Sequence, residues 1–547
     1  MGDNGLKRMT ALFVTLMLVL SGLIIRLASE ASPGTRLARA AAVHGSYTVG
    51  INSTRGTIYD SGMRPLVNDT PAYYALVSPN ADDIPRQLTG LTPFVSDINL
   101  LEKKLAAGTP FSIEITSPDV NIKGVTVVSG VKRYSDNMAP QLIGYLGSNG
   151  EGAAGIEKAL NETLKKYKKE LFGYYPVTAA GTRLEGLSAE IRSEGSDTGG
   201  VVLTIDKDIQ LTAQQAAARY LGTGAVVVMD AENGDVLALA SVPSFSPNKL
   251  AQAVKAQDSP MINRALSAYN LGSVFKTAVA AAALDSGVGT DFSYTCCGSI
   301  NVSGNVIRCA DGEVHGREDM AGGFADSCNG YFITLGQKTG KAALLDMAKR
   351  LGFGSPSTFY PGFSSVSGSL PTLAELDAPA ALANFSIGEG SFMATPLQAA
   401  RMICAVADGG TLPTPRLIKR TVDENLKTVK EYPATVNDRV FSASTAATIK
   451  NFMIKTVDSG TGTAARPAYG GAGGKTGTAE TGIIKNGKPV IQAWFAGFYP
   501  AENPRYVIVA LKENGTSGGA DAAPAFKFVA DSLAFRCGYM TPGQASD

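Results

Sequence analysis

Ala225-Val-Val-Val-Met-Asp-Ala-Glu-Asn-Gly-Asp-Val-Leu-Ala-Leu-Ala240 decides the fold class. Two apolar runs flank Asn233-Gly234, a pair that tolerates the positive φ of a tight turn, so the stretch predicts an antiparallel hairpin. Just upstream, 201–205 has strand composition, and 207–221 has the Ala/Gln-rich, amphipathic spacing of a helix. Far downstream, 489–498 and 506–511 predict two more strands and 523–535 a closing helix, while the patterns in between are mainly helical. Hairpins at both ends around a helical middle predict an α+β domain over 201–547, with a largely antiparallel central sheet flanked by helices.

The chain has 547 residues, more than one ordinary domain. Apolar residues make up 44% and charged residues 18%, which suits a sizeable core and argues against wholesale disorder. Lys plus Arg is 49 against 48 for Asp plus Glu, a formal net charge of +1. Without an excess of positive charge to hold phosphates, nucleic acid is not the expected partner. The histidines are His44 and His315, and neither Cys-x-x-Cys nor His-Glu-x-x-His occurs. The reading is therefore no metal and no cofactor, and a Ser-His-Asp triad would have to use one of two imidazoles.

Lys7 and Arg8 precede an uncharged run over 9–25. As a helix it is long enough to cross a hydrocarbon core of ~30 Å. A cleaved leader usually has an apolar region of only ~7–15 residues. A retained anchor over 1–30 is the expectation, with Ser29-Glu30-Ala31 as the alternative cleavage site. The basic pair keeps the N-terminal tip cytoplasmic and places the rest outside. Residues 31–200 read as an irregular mixed domain with short strands near 73–77 and 125–128 and a Lys-rich helix around 157–170. The lysines at 165, 166, 168 and 169 are expected to form a solvated face. In an exported chain, Cys309 could bridge to Cys296 or Cys297 across a short Gly-rich loop; otherwise these are small buried apolar residues.

With so few histidines, a serine nucleophile needs another base, and lysine is the main alternative. Ser-x-x-Lys puts an amine on the same helix face as a hydroxyl three residues earlier. The pattern is found at Ser129–Lys132, Ser246–Lys249 and Ser273–Lys276. The first carries a glycine and the second lies in a proline-rich turn. Only Ser273-Val-Phe-Lys276 opens a convincing helix, over 273–284. A helix N-terminus favours anionic character on the serine, and a partly desolvated lysine can surrender its charge and accept the proton. Ser-x-Asn recurs, at Ser78-Pro-Asn80, Ser246-Pro-Asn248 and Ser327-Cys-Asn329 among other places. Lys-Thr-Gly is found at 338–340, a connector between helical segments, and at Lys475-Thr476-Gly477, which opens a strand. Small residues there let a backbone edge approach a substrate closely.

In chain order, Ser273-x-x-Lys276, Ser327-x-Asn329 and Lys475-Thr476-Gly477-Thr478 form the arrangement of penicillin-recognising serine acyltransferases. The chain resembles a class B penicillin-binding protein almost end to end. Arg55-Gly-Thr-Ile-Tyr-Asp60, Gly155-Ile-Glu-Lys158, Thr204-Ile-Asp-Lys-Asp-Ile-Gln210, Asn263-Arg264, Ser386-Ile-Gly-Glu-Gly390, Thr395-Pro396 and Ala493-Trp-Phe-Ala-Gly-Phe498 carry the likeness. Leu271 stands where a proline is common in the family, and Glu389 where many members have glutamine.

The resemblance implies a peptidoglycan D,D-transpeptidase with a serine β-lactamase-like fold, a pedestal domain over 31–200 and a single-pass anchor in a bacterial cell membrane. It implies that Ser273 attacks the carbonyl between the terminal D-alanines of a stem peptide, with Lys276 as base. Ser327 would relay the proton to the leaving amine, with Lys475 close by. Asn329, Thr476, Gly477 and Thr478 would hold the substrate, and the N–H groups of Ser273 and Thr478 would bind the oxyanion. β-Lactams would acylate the same serine. A membrane glycan polymerase of the SEDS type is the implied partner, since no glycosyltransferase segment precedes residue 201. The alternatives are a β-lactamase or D,D-carboxypeptidase that hydrolyses the acyl-enzyme, or a catalytically vestigial scaffold.

Overall fold

The computed structural model describes residues 3–30, 46–80, 82–134, 138–176, 189–435, 439–485 and 487–539; His44, Ala31 and Asn486 lie outside them. The chain divides into two compact units. The first comprises Met1–Arg55, Asn68–Arg133 and Tyr167–Asp197, the second Gly56–Val67, Tyr134–Lys166 and Thr198–Asp547.

In the first unit, Asp3–Glu30 is one helix, and its Lys7–Ser29 stretch is long and apolar enough to cross a membrane. Two antiparallel three-stranded sheets follow. One takes Ser46–Arg55, Lys168–Pro176 and Glu190–Gly195, and the other places Thr70–Val77 between Phe111–Ile115 and Val125–Lys132. The strands at 73–77 and 125–128 are present and longer than predicted. The Lys-rich helix around 157–170 is not formed as one element. Gly155–Ala159 and Asn161–Leu164 are separate short helices of the second unit, and Lys168–Pro176 is a strand of the first. Crowded like charges on one helix face oppose a continuous helix, while Phe172, Tyr174 and Tyr175 suit a pleated strand.

In the second unit, a five-stranded antiparallel sheet runs in the order Val236–Val242, Gly224–Asp230, Tyr506–Gly515, Lys488–Tyr499, Gly473–Lys485. The predicted Asn233-Gly234 hairpin joins the first two, with Gly234 at φ +73°. Gly224–Asp230 and Tyr506–Gly515 are apolar over 225–229 and 507–511 because both faces are covered there. Ala225, Val227, Met229, Val507, Val509 and Leu511 point into one core, where Ala278 to Ala283 of the helix Lys276–Asp285 are buried. Val226, Val228, Ile508 and Ala510 alternate with them into a second core against Phe526 and Val529 of the helix Ala523–Ser532 and Ala213 of Lys207–Ala216. This period-two partition is what a two-layered helix covering requires. Each large apolar side chain taken out of water contributes about 1.5–3 kcal/mol. Asp206 starts the helix Lys207–Ala216 by accepting from Asp208 N and Ile209 N. A second sheet in this unit orders Thr428–Glu431, Ile418–Val422, Gly200–Leu203 and Thr57–Tyr59. The Arg55–Asp60 signature thus contributes a strand parallel to Gly200–Leu203.

Candidate active site

Ser273 lies in a single 3-10 turn, Gly272–Phe275, which leads directly into the helix Lys276–Asp285. Three contacts fix that turn. Gly272 N donates to Gly388 O at 2.9 Å, Trp494 Nε1 donates to Asn270 O at 2.8 Å, and the Phe275 ring lies 4.4 Å from Phe392 and 4.9 Å from Phe385 between centroids. Gly272 takes φ +58°, and a Cβ there would stand 3.0 Å from that of Ala479, so backbone conformation and space both select glycine. Leu271, where the family commonly has proline, is fully buried beneath the turn.

Before the turn, Arg264 is buried and its Nε donates to Glu513 Oε1 at 2.9 Å, while its other nitrogens donate to Ser259 O and Asp258 O. Tyr269 OH donates to the same Glu513 oxygen at 2.8 Å. Removing Glu513 would leave the buried Arg264 charge without its carboxylate, a loss of up to about 3–5 kcal/mol. Glu513 sits on the strand Tyr506–Gly515, so this pair ties the approach to Ser273 to the central sheet.

Ser327 and Asn329 come from the tight connection between the helices Met320–Ala325 and Asn329–Thr339. Ser327 adopts φ +56°, a left-handed conformation costly for a non-glycine residue. The turn is held by Cys328 N donating to Gly323 O at 2.9 Å and by Cys328 Sγ accepting from Tyr331 N at 3.4 Å.

Lys276 connects this turn to the nucleophile's helix. Its Nζ is fully buried and donates to Ser327 O at 2.7 Å, Asn329 Oδ1 at 2.7 Å and Ser327 Oγ at 3.3 Å. Asn329 Nδ2 in turn donates to Arg308 O at 2.7 Å, so both ends of that amide are engaged. Ser273 Oγ is half-buried and holds no hydrogen bond among the described residues.

Lys475, Thr476, Gly477 and Thr478 lie on the edge strand Gly473–Lys485. Lys475 is fully buried, 5.7 Å above the Phe324 ring, and its hydrogen bond goes to Thr476 O at 3.3 Å; none joins it to Ser327 among the described residues. Thr476 Oγ1 pairs with Thr461 Oγ1 at 2.7 Å, and Thr478 Oγ1 accepts from Gly518 N at 3.3 Å. A Cβ on Gly477 would lie 3.0 Å from both Leu271 O and Val274 Cγ2, so the strand can pass this close to the nucleophile's turn only as glycine.

Burial pushes the Lys276 ammonium down to about 8. Lys475 is held well below the usual lysine range, first by burial and then by the charge of Lys276, with Asp326 opposing. Glu389, on the Gly388–Gly390 loop that supports the turn, is pushed up to about 8, mainly by desolvation and further by the Glu480 charge. The Glu480 N–H and Lys276 act the other way.

Sequence patterns located the three motifs but not Thr461, Glu513 or Phe392, whose contacts with Thr476, Arg264 and Phe275 lie beyond the reach of any local spacing rule. The expected Cys309 bridge is absent: all six cysteines are free thiols, with Cys296 and Cys309 Sγ 3.7 Å apart. Only Cys297 is exposed. The burial that was the alternative reading holds for Cys296, Cys309, Cys328 and Cys404.

Glu389 gives a pH-dependent outcome. An acid raised in the fold contributes stability below its unfolded value, near 4.5, and loses it as pH climbs through about 8. Glu389→Gln in the full chain should therefore raise Tm more at about pH 8.5 than at about pH 5.5. An equal shift at both pH values, read by thermal unfolding, would refute the buried neutral carboxyl.

Residues 224–531 match the penicillin binding protein transpeptidase domain. Stage V sporulation protein D of Bacillus subtilis is 31% identical over 426 residues, 74% of this chain and 64% of that protein. Peptidoglycan D,D-transpeptidase PbpA of Mycobacterium tuberculosis is 33% identical over 352 residues, 60% of this chain and 70% of the relative. The crystal structure of penicillin-binding protein 3 from M. tuberculosis complexed with aztreonam superposes with a TM-score of 0.64 at 26% identity, covering 90% of this chain and 97% of that one. With its three motifs gathered around one buried lysine, the chain belongs to the penicillin-binding-protein transpeptidase family.

Proposed function

We propose that this chain is a membrane-anchored peptidoglycan D,D-transpeptidase that works through an acyl-enzyme on Ser273. The observation that carries the reading is the Lys276 ammonium, buried and shared among Ser327 O, Ser327 Oγ and Asn329 Oδ1. Once deprotonated, that amine takes the proton of Ser273 as Oγ attacks the carbonyl carbon of the penultimate D-alanine of a stem peptide. The resulting oxyanion is stabilised by the N–H groups of Ser273 and Thr478, donors that are most valuable when charge develops. Collapse breaks the peptide bond, and the departing D-alanine amine receives a proton through Ser327, beside Lys276. Asn329 holds the substrate's amide, and Thr476 and Thr478 hold its terminal carboxylate past the side-chain-free edge at Gly477. An amine of a second strand then attacks the ester, restoring Ser273 and forming the cross-link.

A β-lactam presents the same acyl group without a departing amine, so the ester persists. The three-part division into an anchor over 1–30, a pedestal over 31–200 and a transpeptidase domain over 201–547 is supported by the apolar helix and by the family match beginning at residue 224. In this reading the chain is single-pass with its catalytic domain outside. The pedestal then docks a SEDS-type glycan polymerase that supplies the strands to be joined.

Incubated with a penicillin, the full chain should gain the mass of one antibiotic, and Ser273→Ala should gain none. Rapid drug turnover without an adduct would instead indicate a hydrolase. The acylation rate should rise about tenfold between about pH 7 and about pH 9, as Lys276 passes from ammonium to amine. A flat profile in stopped-flow acylation would remove Lys276 as the base. Cross-linking in the native membrane followed by purification should recover a polytopic glycan polymerase with the full chain; its repeated absence would sink the partnership.

A further inference from the structure

Cys296, Cys309, His315 and Cys328 are separated in sequence, yet one ligand atom from each lies within 4.8 Å of all the others. Cys296 Sγ is 3.7 Å from Cys309 Sγ and 3.3 Å from His315 Nδ1, and Cys309 Sγ is 3.9 Å from Cys328 Sγ. A tetrahedral zinc ion with Zn–S of ~2.3 Å and Zn–N of ~2.0 Å requires edges of about 3.8 Å between sulfurs and about 3.5 Å between sulfur and nitrogen. The three measured edges fit those values. A disulfide fits poorly, because its sulfurs would close to ~2.05 Å and a third thiol would always remain.

The surroundings suit a metal as well. The three sulfurs are buried and His315 is half-buried, so the ligand set is shielded from water. Backbone N–H groups of Gly298 and Tyr331 point at Cys296 Sγ and Cys328 Sγ, each at 3.4 Å, as donors to thiolates do. Nδ1 is the ring nitrogen 3.3 Å from Cys296 Sγ, and the Glu313 carboxylate lies 3.6 Å from the other, Nε2, close enough for an ion-pair contact with the imidazole. No contiguous motif announces this set because strand pairing assembles it. The strand Tyr294–Cys296 pairs with Gly316–Glu318, which sets His315 beside Cys296, and Cys309 directly follows the hairpin strand Asn305–Arg308. The expectation of no metal, drawn from the lack of local spacing motifs, is revised on this geometry.

We infer that Cys296, Cys309, His315 and Cys328 bind one zinc ion, which anchors the Ser327–Asn329 turn from behind. On binding, each thiol releases its proton to solvent and becomes a thiolate ligand. Cys328 lies between Ser327 and Asn329, and Cys309 follows Arg308, whose carbonyl holds Asn329 Nδ2. Two of the four ligands therefore adjoin the residues that fix Asn329, and through it Lys276. The ion is structural: its four positions are filled by protein, and it touches no substrate. The positioning role rests on the transpeptidase reading, whereas the binding of zinc does not.

Elemental analysis of the full chain purified in detergent, without added metal or chelator, should find about one zinc per chain. Cys309→Ser and His315→Ala should each lose it, while Ser273→Ala should keep it. Cobalt substitution should give the visible bands of a tetrahedral thiolate site. A metal-free protein in which the thiols of Cys296, Cys309 and Cys328 titrate freely, a Cys296–Cys309 disulfide in peptide maps, or a different bound metal would each overturn the site. Because Ser273→Ala is silent in acylation, its zinc content separates failure of the site from failure of the catalytic reading. Stripping zinc from wild type with a chelator should slow penicillin acylation at least tenfold, with recovery on adding zinc back. Retained acylation after verified zinc loss would overturn the positioning role.

Discussion

Everything near Ser273 depends on one buried amine. A lysine with no exposed surface is tolerable only if its protons are matched, and Lys276 has three acceptors within reach: a carbonyl, a hydroxyl and an amide oxygen. All three belong to Ser327 and Asn329, so satisfying the charge and assembling the site are the same event. The requirement extends outwards. Ser327 can present both oxygens to one nitrogen only in a turn tight enough to force φ to +56°, and the helix Asn329–Thr339 must begin immediately afterwards. The same burial that strains the turn lowers the proton affinity of the amine, which is what a base working near neutral pH needs.

The second constraint is closeness. The Lys475–Thr478 strand passes the nucleophile's turn with no room for a side chain at Gly477 or Gly272. Phe275, wedged among Phe353, Phe385 and Phe392, keeps the turn from yielding on the other side. Aromatic packing and a glycine-lined edge together hold the gap at a fixed width. A bound peptide that added itself along this edge would meet backbone donors already aimed at it, without reorganisation at the moment of reaction.

Much of this was legible in the chain. Asn233-Gly234 and the apolar runs beside it gave the hairpin, and two-sided burial explains why those runs are not alternating. The helix-opening context of Ser273-Val-Phe-Lys276 selected Ser273 over Ser129 and Ser246, and in the fold Ser129 lies within a strand while Ser246 caps a short turn. The helix expected around 157–170 failed because local lysine content says little about which partner strand is available. The contacts of Thr461 with Thr476 and of Glu513 with Arg264 were invisible for a related reason. Each joins residues whose proximity exists only after the central sheet has formed, and no spacing rule along the chain encodes it.

The cysteines make the same point most sharply. Read linearly, Cys309 offers a bridge to Cys296 or Cys297 across a short loop; read in space, Cys296, Cys309 and Cys328 face one another and an imidazole at distances too long for a bridge and matched to a shared cation. A disulfide would lock two of the segments, whereas a four-ligand centre locks the strand before the hairpin, the segments on both sides of it and the turn bearing Ser327 and Asn329. That turn holds Ser327 at φ +56°, a conformation costly for a residue with a side chain. A strained turn that must present two polar side chains to a buried ammonium needs support from a source that does not compete for those side chains, and sulfur behind the turn meets that condition.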